Sequence, residues 1–296
     1  MAIITCITWK RGSKLPYARS KDGINLHYRI HDCTDEWKNA PYLILQHGYA
    51  RSSKFWNRMV PYLCRWYKVI CPDLRGLGES SKDFDFDARI NVAQYIEDLE
   101  CIAAHVGAKE FHFGGESLGG IIGFALAAER PRLVRTLSLF TAPLEIDAAT
   151  QKAFAFGHDS WTDALRTMGS HGWALEGKRS GRSSFPADDD PGHIEWYSAE
   201  MGKSDVNVLI AMAKLASKVD ARPFLKRIEA PVLGLYPAAG AVTSQDQLAQ
   251  IRRDIRNIKI VHLPGPYHLV QSLQPAACAE QVLHFLALHD GHVCHE

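Results

Sequence analysis

The sequence is short of the features that mark a nucleic-acid binder, a membrane span or a disulfide-stapled secreted domain. Lys plus Arg number 34 against 33 Asp plus Glu, so no global basic field favours nucleic acid or an anionic membrane. No stretch approaches 18 apolar residues, and "MAIITCITWKRGSK" places a short apolar run ahead of its charges, the wrong order for a secretory signal. The seven cysteines (Cys6, Cys33, Cys64, Cys71, Cys101, Cys278 and Cys294) are odd in number, scattered, and form no Cys-x-x-Cys pair. That is the pattern of unpaired thiols in a reducing cytoplasm rather than a disulfide framework. The tail "HDGHVCHE" has residue types that suit a metal, but a chain end reads as a frayed, solvated tail. What remains is a soluble cytoplasmic protein whose partner is a small molecule, with no nucleic acid and no membrane, and with a homodimer left open. At 296 residues it can bury about three quarters of its unfolded surface.

The first half alternates short β-branched runs with longer helical patterns. "YARSKDGINLHYRI" has an Asp-Gly step between two alternating segments and predicts a hairpin. "PYLILQHG", "YKVICPDLRG", "EFHFGGES" and "TLSLFTAP" are near-continuous apolar runs, the profile of strands buried on both faces. Between them, residues 90 to 106 place Val92, Ile96, Leu99, Ala103 and Val106 at helical spacing, and residues 117 to 130 form a second helix stopped by Pro131. Strands separated by helices imply a parallel sheet covered on both faces.

From residue 145 to 222 strand signals vanish in favour of amphipathic stretches such as Val206 to Val219 and the polar run "EGKRSGRSSFPADDDPG". "APVLGLYP", a helix around 244 to 256, "NIKIVHLPGPYH" and a helix over 274 to 288 then complete the sheet. The expected organisation is one α/β domain in two parts, residues 1–144 and 223–296, interrupted by a helical cap over 145–222.

Gly115-Glu116-Ser117-Leu118-Gly119 fits G-x-S-x-G, directly after a predicted buried strand and directly before a predicted helix. That is the setting of a nucleophile elbow, where a serine at the tip of a sharp turn takes strained angles and the flanking glycines give clearance. The plainer alternative is that Ser117 only caps the helix. At a helix N-terminus unpaired N–H groups favour negative charge, so the Leu118 N–H would point at a developing oxyanion. A second donor falls in "QHGYA", where the Tyr49 N–H is the candidate; Gly48 would shape that loop, and His47 more naturally holds it than does chemistry. A serine hydroxyl needs a base to take its proton. Of 14 histidines, His268 follows the last predicted strand through "PGPY", at the carboxyl edge of the sheet where Ser117 also sits.

Together these segments resemble the α/β-hydrolase superfamily over about residues 22 to 288: "QHGYARS" as the oxyanion loop, "PDLRGLGES" as the D-x-R-G-x-G-x-S segment, "GGESLGG" as the elbow and "LPGPYHLVQSLQP" as the histidine loop. The resemblance implies an α/β-hydrolase fold with a mostly parallel eight-stranded sheet, helices on both faces and a helical cap insertion. It also implies a serine-type triad, with Asp73 and Arg75 as scaffolding of their turn. The usual acid after the next-to-last strand is missing, since "LYPAAGAVTSQ" has Ala239 and Gly240 there, and the other family location falls on Thr141. Glu145 is the leading candidate if its loop folds back, with Asp246, another acid or none as alternatives. Asp246 also reads as a cap of the helix that follows, and Glu116 is expected to point away from the base.

The leading expectation is acyl transfer to water from a small ester, lactone or amide, with Ser117, His268 and Glu145 as the triad and no metal or organic cofactor. Trp161, Trp173, Trp196, Tyr197 and Phe154 offer an aromatic lining, Trp196 being placed among the substrate contacts. Rivals of the same fold are a carbon–carbon bond hydrolase, a cofactor-free dioxygenase and a small-ligand receptor.

Overall fold

The computed structural model describes residues 16–179, 185–186, 189–239 and 242–291. The N-terminal stretch with Cys6, residues 180–184 and 187–188 of the polar run, Gly240 and the tail with Cys294 lie outside the described residues. Eight strands form one sheet: β1 (Tyr17–Arg19), β2 (Asn25–His31), β3 (Tyr42–Gln46), β4 (Lys68–Pro72), β5 (Phe111–Glu116), β6 (Val134–Phe140), β7 (Val232–Pro237) and β8 (Ile258–Leu263). Their order is β1-β2-β4-β3-β5-β6-β7-β8. β2 pairs antiparallel with β1 and β4, and every later pairing is parallel. The Asp-Gly hairpin is present, with Gly23 at φ 88 between strands in register from Arg19 to Asn25.

The alternation of side chains explains why the central runs read as continuously apolar. In β3, Leu43 and Leu45 pack into one hydrophobic cluster while Ile44 packs into the other; in β7, Leu233 and Leu235 face the first and Val232 and Tyr236 the second. Both faces of these central strands are therefore covered, so successive positions along them are apolar on either side. The helix Val92–Val106 opens where Asn91 Oδ1 accepts the Gln94 N–H at 2.9 Å and closes at Gly107, φ 78, a side-chain N-cap and a left-handed C-terminal glycine. The helix Gln245–Asp254 is capped by Ser244, whose Oγ accepts from Gln247 N; Asp246, expected as the cap, sits exposed in the first turn.

Between β6 and β7 the described residues contain helices and no strand: Ala148–Phe154, Trp161–Arg179 with a break at Gly169, Pro191–Gly202, Val206–Ala216 and the one-turn Arg222–Leu225. The D-L-R-G turn is tied down by charge. Arg75, fully buried, donates to Asp98 at 2.7 and 2.5 Å and to Asp22 at 2.9 and 3.2 Å. Asp73 accepts from Ser53 N and Glu79 N. No helix of the described residues is long and apolar enough to cross a membrane.

Candidate active site

β5 runs straight into the helix Leu118–Glu129, and Ser117 is the single residue between them. Its φ of 53° and ψ of −118° lie in a region that an L-residue occupies only under constraint. The constraint is visible: Ser117 N–H donates to Phe140 O on the neighbouring strand at 3.0 Å, and Ser117 O accepts from Gly120 N at 2.9 Å. A Cβ at Gly115 would strike the Gly119 backbone, and one at Gly119 would strike the Gln46 carbonyl. The serine side chain makes no capping hydrogen bond, so its hydroxyl is not spent on the helix. Leu118 is the first helical residue, and its N–H has no intrahelical acceptor.

Ser117, Leu118, Tyr49 and His268 line one cavity of about 520 Å³, with Arg51 and Tyr197 beside them. The volume suits a compact organic molecule. His268 is buried, and burial, reinforced by the positive charge on Arg51, holds its pKa down to about 3. The ring is thus neutral at physiological pH and able to accept a proton. Its Nδ1 has no hydrogen-bond partner among the described residues, and its Nε2 lies 3.4 Å from Glu116 Oε1.

His47 does hold the loop. Its Nε2 accepts the Leu74 N–H at 3.0 Å, which leaves the proton on Nδ1 to donate to the Gly48 carbonyl at 2.8 Å. Burial lowers its pKa to about 4, consistent with that neutral tautomer. Gly48, expected near the oxyanion, has its N–H taken by Glu116 Oε2 at 3.1 Å. It contributes room instead, since a Cβ there would meet the Glu116 carboxylate and Arg51. Tyr49 turns its ring toward Trp161 and Trp173, at centroid distances of 4.6 and 5.7 Å, and donates its hydroxyl to Leu209 O at 2.9 Å.

The structure differs from expectation at Glu145, Trp196 and Glu116. Glu145 forms no hydrogen bond or ion pair with His268; its Oε1 is taken by Arg222 Nη2 at 2.5 Å, and that guanidinium holds the carboxyl below its ordinary pKa. Thr141, in the other family location, adopts φ 51 and turns its hydroxyl back to Phe140 O. Trp196 is 36% exposed and packs its ring at a tilt against Phe55, centroids 5.1 Å apart, lining a separate cleft with His193 and Ser272; Tyr197, its neighbour, is the one that lines the cavity. Glu116, expected to point away, faces the histidine.

Arg51 is the residue sequence reasoning passed over. It is buried, with Nη1 donating to Glu116 Oε2 at 2.6 Å and Nε and Nη2 donating to Tyr197 Oη at 3.1 and 2.7 Å. The signal was available: a Glu ending a strand buried on both faces must find a cation, and Arg51 is the cation on the adjoining loop. Among the described residues no group of three or more His, Cys, Asp or Glu is arranged to hold a metal ion.

Residues 41–166 match the family model for the alpha/beta hydrolase fold. A 3-hydroxybutyrate-oligomer hydrolase of Cupriavidus necator is 33% identical over 107 residues, 35% of this chain and 36% of that protein. The chain spans about a third to a half of the length of the first curated relatives it matches. Among solved structures, a hydrolase from Pseudomonas aeruginosa superposes with a TM-score of 0.78 at 25% identity, covering 93% of this chain and 99% of that one. The enol-lactonase from Burkholderia xenovorans does so with a TM-score of 0.79 at 21% identity, covering 92% and 100%. With its sheet order, its strained serine between β5 and a helix, and these likenesses, the chain has the α/β-hydrolase fold, and residues 41–166 are similar to that family.

Proposed function

We propose that the chain is a serine hydrolase of small carboxylic esters, lactones or amides, working through an acyl-enzyme beneath a helical cap formed by residues 145–222. The observation that carries this reading is that Ser117, held at φ 53 with an unused hydroxyl, and His268, held neutral, line the same cavity. In the proposed step the Ser117 Oγ–H bond breaks as Oγ bonds the substrate carbonyl carbon. The proton passes to His268 and then to the departing oxygen or nitrogen, and water repeats the sequence on the acyl group. The N–H groups of Tyr49 and Leu118 would hold the oxyanion, a role worth on the order of 100- to 1,000-fold in rate per donor. The apolar walls, among them Phe154, Trp161, Trp173 and Ile121, suit an uncharged compact acyl group, and a lactone is in keeping with the enol-lactonase likeness.

A receptor that binds without turnover is the second reading, favoured by the unpartnered His268 Nδ1. One experiment separates them: p-nitrophenyl butyrate should give a burst of phenolate equal to the enzyme concentration, and Ser117→Ala should abolish it. Tight binding of a cavity ligand with no burst and no turnover over a panel of esters and lactones would favour the receptor.

A further inference from the structure

Resting on the serine-hydrolase reading, we propose that Glu116, the residue immediately before the nucleophile, is the positioning carboxylate of His268, filling the role that neither Glu145 nor the customary loop positions fill. Glu116 is 1% exposed at the end of β5. Its two oxygens are treated differently. Oε2 accepts two donors, Gly48 N and Arg51 Nη1, while Oε1 is buried with no hydrogen bond among the described residues and faces His268 Nε2 at 3.4 Å. A buried carboxylate oxygen without a donor is unfavourable, and a proton on the facing imidazole nitrogen relieves it.

The charges around the ring point the same way. At rest the cluster holds Arg51 positive, Glu116 negative and His268 neutral. When Ser117 gives up its proton the ring becomes an imidazolium, which burial and Arg51 both oppose; those are the two effects that hold the resting ring at about 3. Glu116 supplies the offsetting negative charge in place, so no reorganisation is needed at that moment. Two contacts keep it available: Tyr197 Oη holds the Nε–Nη2 edge of Arg51, and only Nη1 is left for Glu116. Burial raises the Glu116 pKa against the pull of Arg51. Glu116 takes up no proton in the cycle. The Oγ–H bond breaks, an N–H bond forms on His268, and that proton leaves with the alcohol, while the carboxylate stays charged.

The test compares the native chain, Glu116→Gln, and Glu116→Gln with Arg51→Gln. Three quantities are read: kcat and KM for p-nitrophenyl butyrate, the pH profile of kcat/KM, and the rate at which a fluorophosphonate labels Ser117. Glutamine keeps acceptors for Gly48 and Arg51, and thermal melting reports whether it folds; the double variant removes both charges and serves if the single one does not. The expected result for Glu116→Gln is a loss of about 100-fold or more in kcat and in labelling rate, with KM within about threefold; the double variant, which also removes the Arg51 charge that opposes the imidazolium, keeps a loss of about tenfold or more. In the single variant the acidic limb of the profile moves to lower pH. A folded variant that turns over and labels within about threefold of the native rate, with its profile unmoved, overturns the role of Glu116 alone. A native chain that neither turns over nor labels overturns the hydrolase reading, and this role with it.

Discussion

Arg51 donates two N–H groups, Nε and Nη2, to the single phenolic oxygen of Tyr197, at 3.1 and 2.7 Å. One residue sits on the loop after β3 and the other on the helix Pro191–Gly202, so a buried charge ties the sheet edge to the helices above the cavity. Removing the acceptor leaves two buried guanidinium donors unmet. Tyr197→Phe should therefore cost about 1–3 kcal/mol and lower the melting temperature by roughly 3–10 °C. A melting curve superimposable on the native one would contradict it.

The elbow depends on clearance. In Gly119→Ala the new methyl meets the carbonyls of Gln46 and His47, backbone atoms at the end of β3 that cannot swing aside. The expected outcome is loss of soluble, cooperatively melting protein, or a fold with at least about 100-fold lower turnover because the oxyanion loop is displaced. Gly107→Ala serves as a control, since nothing lies within 4 Å of its Cβ position. It should cost only the strain of a positive φ, about 1 kcal/mol.

Much of this fold is legible in the sequence. The strands showed as apolar runs because both sheet faces are covered, and the elbow showed as glycines because backbone passes within contact of Gly115 and Gly119. The place of His268 after the last apolar run puts it on the cavity wall beside Ser117. The Trp196 expectation failed on helical phase, which the sequence did contain: Ile194, Tyr197, Ser198 and Met201 recur at three-and-four spacing and line the cavity, and Trp196 falls off that stripe. The partner of Glu145 was not legible, because Arg222 reaches it from 77 residues away and local pattern says nothing of such a pairing. The direction of the Glu116 side chain depended on how the histidine loop returns over the sheet, again a tertiary matter.

Stability should fall with acid over a window set by buried and half-buried histidines. Burial lowers the pKa of His31 and His47 to about 4 and, with Arg51, that of His268 to about 3, whereas the unfolded rings titrate near 6.5. The unfolded chain then binds more protons below that value. The contribution is fully present above about pH 6.5 and is lost as pH falls toward 4. For fully buried His47 it is on the order of 3 kcal/mol. Urea midpoints measured from pH 7.5 to 4.5 should fall steadily, and His47→Gln should flatten the slope; a pH-independent midpoint would show that these rings are not held neutral.

Trp161 stands between Tyr49 and Phe154, at centroid distances of 4.6 and 4.8 Å, on the cavity wall. Trp161→Ala enlarges the pocket and removes about 3–5 kcal/mol of packing. Measured across p-nitrophenyl esters of increasing chain length, the optimum acyl length should shift upward by several carbons while kcat for the new optimum stays within about tenfold. An unchanged length preference would place the acyl group elsewhere.

The most direct measurement is to map where a fluorophosphonate bonds to the chain, by intact-mass and peptide mass spectrometry on native protein and on Ser117→Ala. A single adduct on the peptide carrying Ser117, absent from the variant and slowed by about 100-fold or more in His268→Asn, is the expected result. An adduct that forms equally in Ser117→Ala, or that maps to another residue such as Ser272, would contradict the assignment of Ser117 as the nucleophile.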